Sequence, residues 1–91
     1  MAARVEIVVQ GLVQGVGFRW FIFREAKELG LTGYVKNTRS GSVEIVAEGE
    51  EWQIEELVNA AKRGPTRSHV SAIKVERGPA NNEFNKFEIR H

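Results

Sequence analysis

Val5, Ile7 and Val9 alternate with Arg4, Glu6 and Gln10, with Val8 interrupting the alternation. A period of two predicts a half-buried strand that ends near Gly11. The period then changes: Phe18, Ile22, Ala26 and Leu29 recur at helical spacing, with Phe21 and Glu25 beside the stripe and Arg24, Lys27 and Glu28 turned to water. This predicts a helix from about Gly17 to Leu29, ended by Gly30. Thr32 to Arg39 reads as a second strand, Ser40-Gly41 as a turn, and Ser42 to Glu48 as a third strand with Val43, Ile45 and Ala47 on one face. So short a connection makes the pair a hairpin. Glu50 and Glu51 suit the positive end of a second helix, Ile54, Leu57, Val58 and Ala61 form its apolar stripe, and Gly64-Pro65 stops it after Lys62 and Arg63. Val70 to Arg77 reads as a strand with Ser71, Ile73 and Val75 on one face. A loop through Gly78-Pro79 and Asn81-Asn82 leads to a short last strand marked by Phe87 and Ile89.

The order β-α-β-β-α-β with a short extra C-terminal strand is an α+β plan, the ferredoxin-like α/β sandwich. It predicts a mostly antiparallel sheet with two helices on one face, joined by right-handed crossovers. No linker, repeat or low-complexity segment interrupts it, so residues 1–91 are expected to form one domain. The absence of cysteine excludes disulfides, zinc–thiolate sites and iron–sulfur clusters. A formal net charge of +1 counts against nucleic-acid binding driven by the phosphate backbone. No apolar run approaches the roughly 18 residues of a membrane span, and Met1 to Arg4 lacks a signal-peptide core. A cytoplasmic monomer is the expectation.

The candidate chemistry sits in two stretches. Gly11-Leu12-Val13-Gln14-Gly15-Val16-Gly17-Phe18-Arg19 joins the first strand to the first helix. Glycines there permit left-handed backbone angles, so that successive N–H groups converge on one concavity, a nest for an anion. The helix start adds unpaired N–H groups and its dipole, and Arg19 in the first turn adds a bidentate donor. The stretch matches neither the P-loop nor the dinucleotide fingerprint, and taken alone it serves equally as a glycine-rich turn before an exposed arginine.

In Gly33-Tyr34-Val35-Lys36-Asn37, alternation puts Gly33, Val35 and Asn37 on one face, the one expected under the helices, and turns Lys36 away. An asparagine there is a polar group among packing positions. It could hold a water toward a bound phosphate, or satisfy backbone groups of the turn that follows.

Together the two stretches closely resemble the signatures of the acylphosphatase family. Gly11, Val13, Gln14, Gly15, Val16, Phe18 and Arg19 fill every fixed position of the first signature, and Gly33, Asn37, Gly41, Val43 and Gly49 match the second. Gly64-Pro65 and Phe87-Glu88-Ile89 are similar to later family features, while Thr66 stands where many relatives carry proline or serine. The resemblance spans nearly the whole chain. It implies metal-independent, cofactor-free hydrolysis of acyl phosphates to a carboxylate and inorganic phosphate, the latter also a competitive ligand. By position it implies Arg19 and Asn37 as catalytic residues, Asn37 orienting the attacking water, and Gln14, Gly15, Val16, Gly17, Phe18 and Arg19 as the phosphate-binding loop.

The leaving carboxylate has a pKa of about 4 and needs no general acid, consistent with a site free of histidine and cysteine. His69 and His91 are expected to contact solvent. Phe18, Phe21, Ile22, Trp52, Leu57 and Phe87 are expected at the core or its edge, Trp20 and Phe23 in packing off the main stripe, and Arg63, Arg67, Arg77 and Arg90 on a solvated charged face. No side chain that would grip one acyl group is identifiable, so broad specificity is expected. Two rival functions share the strand order. An RNA recognition motif would need an RNP1-like aromatic run on a central strand, which is missing. A regulatory or carrier domain of a larger protein could use the same cradle, though a chain of 91 residues favours a free-standing enzyme.

Overall fold

The computed structural model describes residues 2–91. The elements follow the predicted order: β1 (Ala2–Leu12), α1 (Phe18–Leu29), β2 (Thr32–Asn37), β3 (Val43–Glu50), α2 (Glu51–Arg63), β4 (His69–Pro79) and β5 (Phe87–Arg90). They form one five-stranded sheet in the order β4-β1-β3-β2-β5. β1 lies between β3 and β4 and runs antiparallel to both, β2 is antiparallel to β3, and β5 alone pairs in parallel, with β2. This is the ferredoxin-like sandwich with one strand added beside β2.

The alternation that predicts β1 is also what builds the core. Val5, Ile7 and Val9 are fully buried, as are Val35 of β2 and Val43, Ile45 and Ala47 of β3. The helices close over this face with Phe18, Ile22 and Ala26 from α1 and Ile54, Leu57, Val58 and Ala61 from α2. Each large aliphatic buried here contributes about 1.5–3 kcal/mol by leaving water. The two helix ends are tied together by one residue: the Gln53 amide Nε2 donates to the Leu29 carbonyl at the end of α1, while its Oε1 accepts the Glu50 N–H at the start of α2.

Two expectations are corrected. Ser71 does not share the inward face of Ile73 and Val75; it is exposed, and Val70 is the residue turned partly inward. The cause is a bulge, where the register with β1 shifts between Gln10 and Gly11 and leaves Ser71 as the extra residue on β4. Gly11 sits in the bulge with φ 131°, and a Cβ there would run into the backbone of His69 and Ser71. Trp52 is 63% exposed and belongs to no part of the core. It lies two residues before Ile54, about 200° around the helix from the apolar stripe.

A charged clasp on the other side of the sheet sets the path into β5. Glu48 is buried, and its carboxylate accepts the N–H groups of Asn81 and Asn82 and the guanidinium of Arg4 at 3.0 Å each. Arg4 also reaches Glu83, at 2.8 Å, and lies over the Phe84 ring. The loop is thereby held against the sheet three residues before Phe87 begins β5. Arg90 of β5 stacks on Tyr34, at 4.2 Å from the ring centroid, so it is not simply a solvated charge. Burial, with the hydrogen bond the Tyr34 hydroxyl donates to Glu44, pushes that phenol up to about 12.

Candidate active site

The loop between β1 and α1 is shaped by two glycines in the left-handed region, Gly15 at φ 74° and Gly17 at φ 81°. A Cβ at either would meet no protein atom within 4 Å, so the need for glycine lies in the backbone conformation and in the open space before it. Gly17 is the N-cap of α1 and offers no side-chain cap, and no acidic residue occupies the first turn. The first turn of a helix has no internal partners for its N–H groups. Here the preceding loop supplies none either: among the described residues, the N–H groups of residues 15–20 donate no hydrogen bond, the first donor being Phe21, to the Gly17 carbonyl at 3.0 Å. The chain thus presents a run of unfilled donors at the positive end of a helix.

Arg19 adds a cation to that end. It makes no ion pair with a described carboxylate. Its Nη1 lies 3.1 Å from Nδ1 of His91. A guanidinium carries only donors, so in this contact the imidazole nitrogen is the acceptor. The expectation that His91 merely faces solvent is half met: it is exposed, but its ring touches Arg19. β5 lies parallel beside β2, and this pairing brings the two together.

Asn37 is the last residue of β2 and lies on the inward face with Gly33 and Val35. Its Oδ1 is buried and accepts no hydrogen bond from any described residue. A buried acceptor in that state costs about 1–3 kcal/mol. Asn37 therefore does not use its carbonyl oxygen to satisfy the turn that follows. The turn closes itself: Thr38 N–H donates to the Ser42 carbonyl at 3.0 Å, and the Thr38 and Ser42 hydroxyls bond each other at 2.6 Å.

A cavity of about 270 Å³ joins these parts, lined by Val13, Gly15, Gly17, Phe18, Arg19, Trp20, Asn37, Ile89 and His91. Of the residues singled out in the sequence, Gly15, Gly17, Phe18, Arg19 and Asn37 reach its wall; Gln14 and Val16 do not. The Gln14 side chain is a strut instead. Its Nε2 donates to the carbonyls of Thr38 and Ser42, at 2.8 Å each, and so locks the β1–α1 loop to the β2–β3 turn. One amide thus fixes the loop that carries Arg19 relative to the strand that carries Asn37. Ile89 and His91 are cavity residues that the sequence did not point to, and Trp20, expected in packing, stands exposed on the cavity wall. Trp20 offered the one available signal, a large aromatic off the buried stripe of its helix.

The sequence model of the acylphosphatase family matches residues 5–89. The chain belongs to the acylphosphatase family. It is 49% identical to an acylphosphatase of Caldivirga maquilingensis over 97% of its own length and 94% of that protein's. The crystal structure of the acylphosphatase from Bacillus subtilis superposes with a TM-score of 0.94 at 40% identity, covering 98% of this chain and 99% of that one. Full-length HypF, in its phosphate- and nucleotide-bound form, contains a region that matches all of this chain at 36% identity and a TM-score of 0.91, but that region is only 12% of its length. The acylphosphatase fold therefore occurs both nearly alone and as a small part of a longer polypeptide.

Proposed function

We propose that this acylphosphatase binds the phosphoryl group of an acyl phosphate in the cavity between the β1–α1 loop and β2, and hydrolyses it without a metal. Arg19 and the N–H groups of residues 15–18 hold the phosphoryl oxygens, and Asn37 orients a water for attack on phosphorus. The observation that carries this reading is the buried, unpartnered Oδ1 of Asn37 on the wall of the cavity that Arg19, Gly15 and Gly17 also line. That oxygen accepts a hydrogen bond from the water and so turns the water's lone pair toward the phosphorus.

In the reaction the water oxygen forms a bond to phosphorus while the bond from phosphorus to the acyl oxygen breaks. The carboxylate leaves with the electron pair. A carboxylate leaving group of pKa about 4 needs no proton to depart, so the catalytic work is positioning and stabilisation of charge on the phosphoryl oxygens. No acidic side chain or lysine lines the cavity, and the imidazole that does, that of His91 against the expectation of a site without histidine, has its Nδ1 engaged by Arg19; we assign the proton released by the water to a phosphoryl oxygen of the substrate itself. The resulting enzyme is read as a one-domain cytoplasmic monomer.

The test is hydrolysis of acetyl phosphate in the presence of excess EDTA. Full turnover in EDTA, with loss on Arg19→Ala, supports the assignment; activity that returns only with an added divalent cation overturns it.

A further inference from the structure

Among the described residues three large apolar side chains are exposed, Leu12, Trp20 and Trp52, and of these only Trp20 lines the cavity. Its indole does not swing freely. It is stacked on Phe23, with ring centroids 5.3 Å apart and planes 20° from parallel, and Phe23 lies against Phe87 of the core at 6.5 Å. One face of the indole is therefore held while the side chain remains 56% exposed. Fixing an exposed side chain forgoes rotamer entropy with little burial in return, which makes sense where the open part receives something. Ile89 of β5 adds a second apolar surface to the same cavity.

The volume agrees. A cleft of about 270 Å³ has room for more than a phosphoryl group and one attacking water. The direction agrees as well. In-line displacement puts the leaving oxygen on the far side of phosphorus from the water. With the water at the buried Oδ1 of Asn37, the acyl group leaves on the opposite side of phosphorus, and the exposed part of the cavity wall includes Trp20.

We infer that Trp20 and Ile89 form the subsite for the acyl group, and that it selects apolar, planar acyl groups, above all aromatic ones. This rests on the placement of the phosphoryl group proposed above. Stacking and edge contacts on a fixed indole reward a ring far more than a methyl group, so the specificity is graded by acyl chemistry instead of being indifferent to it.

The test compares kcat/KM for benzoyl phosphate and acetyl phosphate. In Trp20→Ala the benzoyl-to-acetyl ratio should fall roughly tenfold, the scale of one apolar contact, and Ile89→Ala should move it the same way by less. In a Trp52→Phe background Trp20 is the lone tryptophan, and its fluorescence should respond to a non-hydrolysable benzoylphosphonate more than to acetylphosphonate. An unchanged ratio, or an equal loss for both substrates accompanied by a weaker inhibition constant for inorganic phosphate, overturns the subsite. Retention of turnover in Arg19→Ala instead overturns the placement of the phosphoryl group, so the two failures are distinguishable.

Discussion

The two helices of this protein begin in opposite ways. α2 starts with a capping box, in which the Glu50 side chain accepts the Gln53 N–H while Gln53 accepts the Glu50 N–H, and an acidic residue, Glu51, follows in its first turn. Its dipole, the N-cap N–H and one first-turn donor, that of Gln53, are thus answered from within the chain. α1 starts from a left-handed glycine with no side-chain cap, no acid in the first turn, and a cation, Arg19, where an anion would stabilise it. Measured by helix stability alone, the start of α1 is built wrongly. The difference teaches where the chain leaves room for an external anion: stability was given up at the helix end that faces the cavity and kept at the one that does not.

The sharpest way to break the comparison is to give α1 the chemistry of α2. Arg19→Glu places an acid at the positive end of the helix and removes no ion pair. It should stabilise the fold by about 0.5 kcal/mol while lowering kcat/KM on acetyl phosphate by at least about 10³-fold, since removal of even one well-placed donor costs about 10²–10³. Thermal unfolding and steady-state kinetics on the same sample read both effects. A variant that is less stable and still active would show that Arg19 is structural.

Next in size is Asn37→Ala. It deletes a buried acceptor that no described donor satisfies, so stability should hold or rise slightly. Turnover should fall about 10²-fold, with the inhibition constant of inorganic phosphate nearly unmoved. If phosphate binding weakens in proportion to turnover, Asn37 belongs with the donors of the loop and not with the water.

These two residues also mark how far the sequence could be read. The strand order, both helices and the core stripe were legible because strict periods of two and of three to four residues carry them, and the two glycine-bearing stretches drew attention to Arg19 and Asn37. The sequence did not reveal that the Gln14 amide bridges two loops. Its role depends on the Thr38 and Ser42 carbonyls lying within 2.8 Å, a fact about the meeting of two loops distant in sequence. His91 and Ile89 reach the cavity through the parallel pairing of β5 with β2, and no local pattern specifies a parallel partner. Ser71 was misplaced because a bulge there breaks the alternation within β4, its one trace being the spacing of three between the inward Val70 and Ile73.

Glu48 sharpens the comparison from the other side. Its carboxylate is an anion built into the chain, and it takes two backbone N–H groups and an arginine, the same kinds of donor that stand at the start of α1 without an anion of the described chain. Burial pushes this carboxyl up, but the Asn81 N–H, the Arg4 guanidinium and the Asn82 N–H together hold it below its ordinary value. A depressed carboxyl contributes stability that is fully present above its unfolded value and is lost as pH falls through the lower folded one. Glu48→Gln should therefore cost about 2 kcal/mol near neutral pH, and the gap from the parent protein should close in acid. Denaturant unfolding at a series of pH values measures it; a gap that widens in acid reverses the sign and removes the clasp.

The smallest effect is the most discriminating. Glu51→Arg gives the first turn of α2 a cation, as Arg19 does in the first turn of α1, reversing the charge against the dipole. It should destabilise the fold by about 0.3–1 kcal/mol, and less in high salt because the site is exposed. It should not create a phosphate site. A cation near a helix start is only half of what α1 offers; the other half is a longer run of N–H groups left without acceptors, of which in α2 the capping box engages those of Glu50 and Gln53. Titration of the variant with inorganic phosphate, followed by its shift in thermal unfolding, separates the two contributions. No shift beyond that of the parent protein means that the unfilled amides decide where an anion binds and that Arg19 only strengthens a place already prepared. A second phosphate bound at the start of α2 in this variant would mean that charge alone is sufficient, and the contrast between the two helix starts would then say nothing about function.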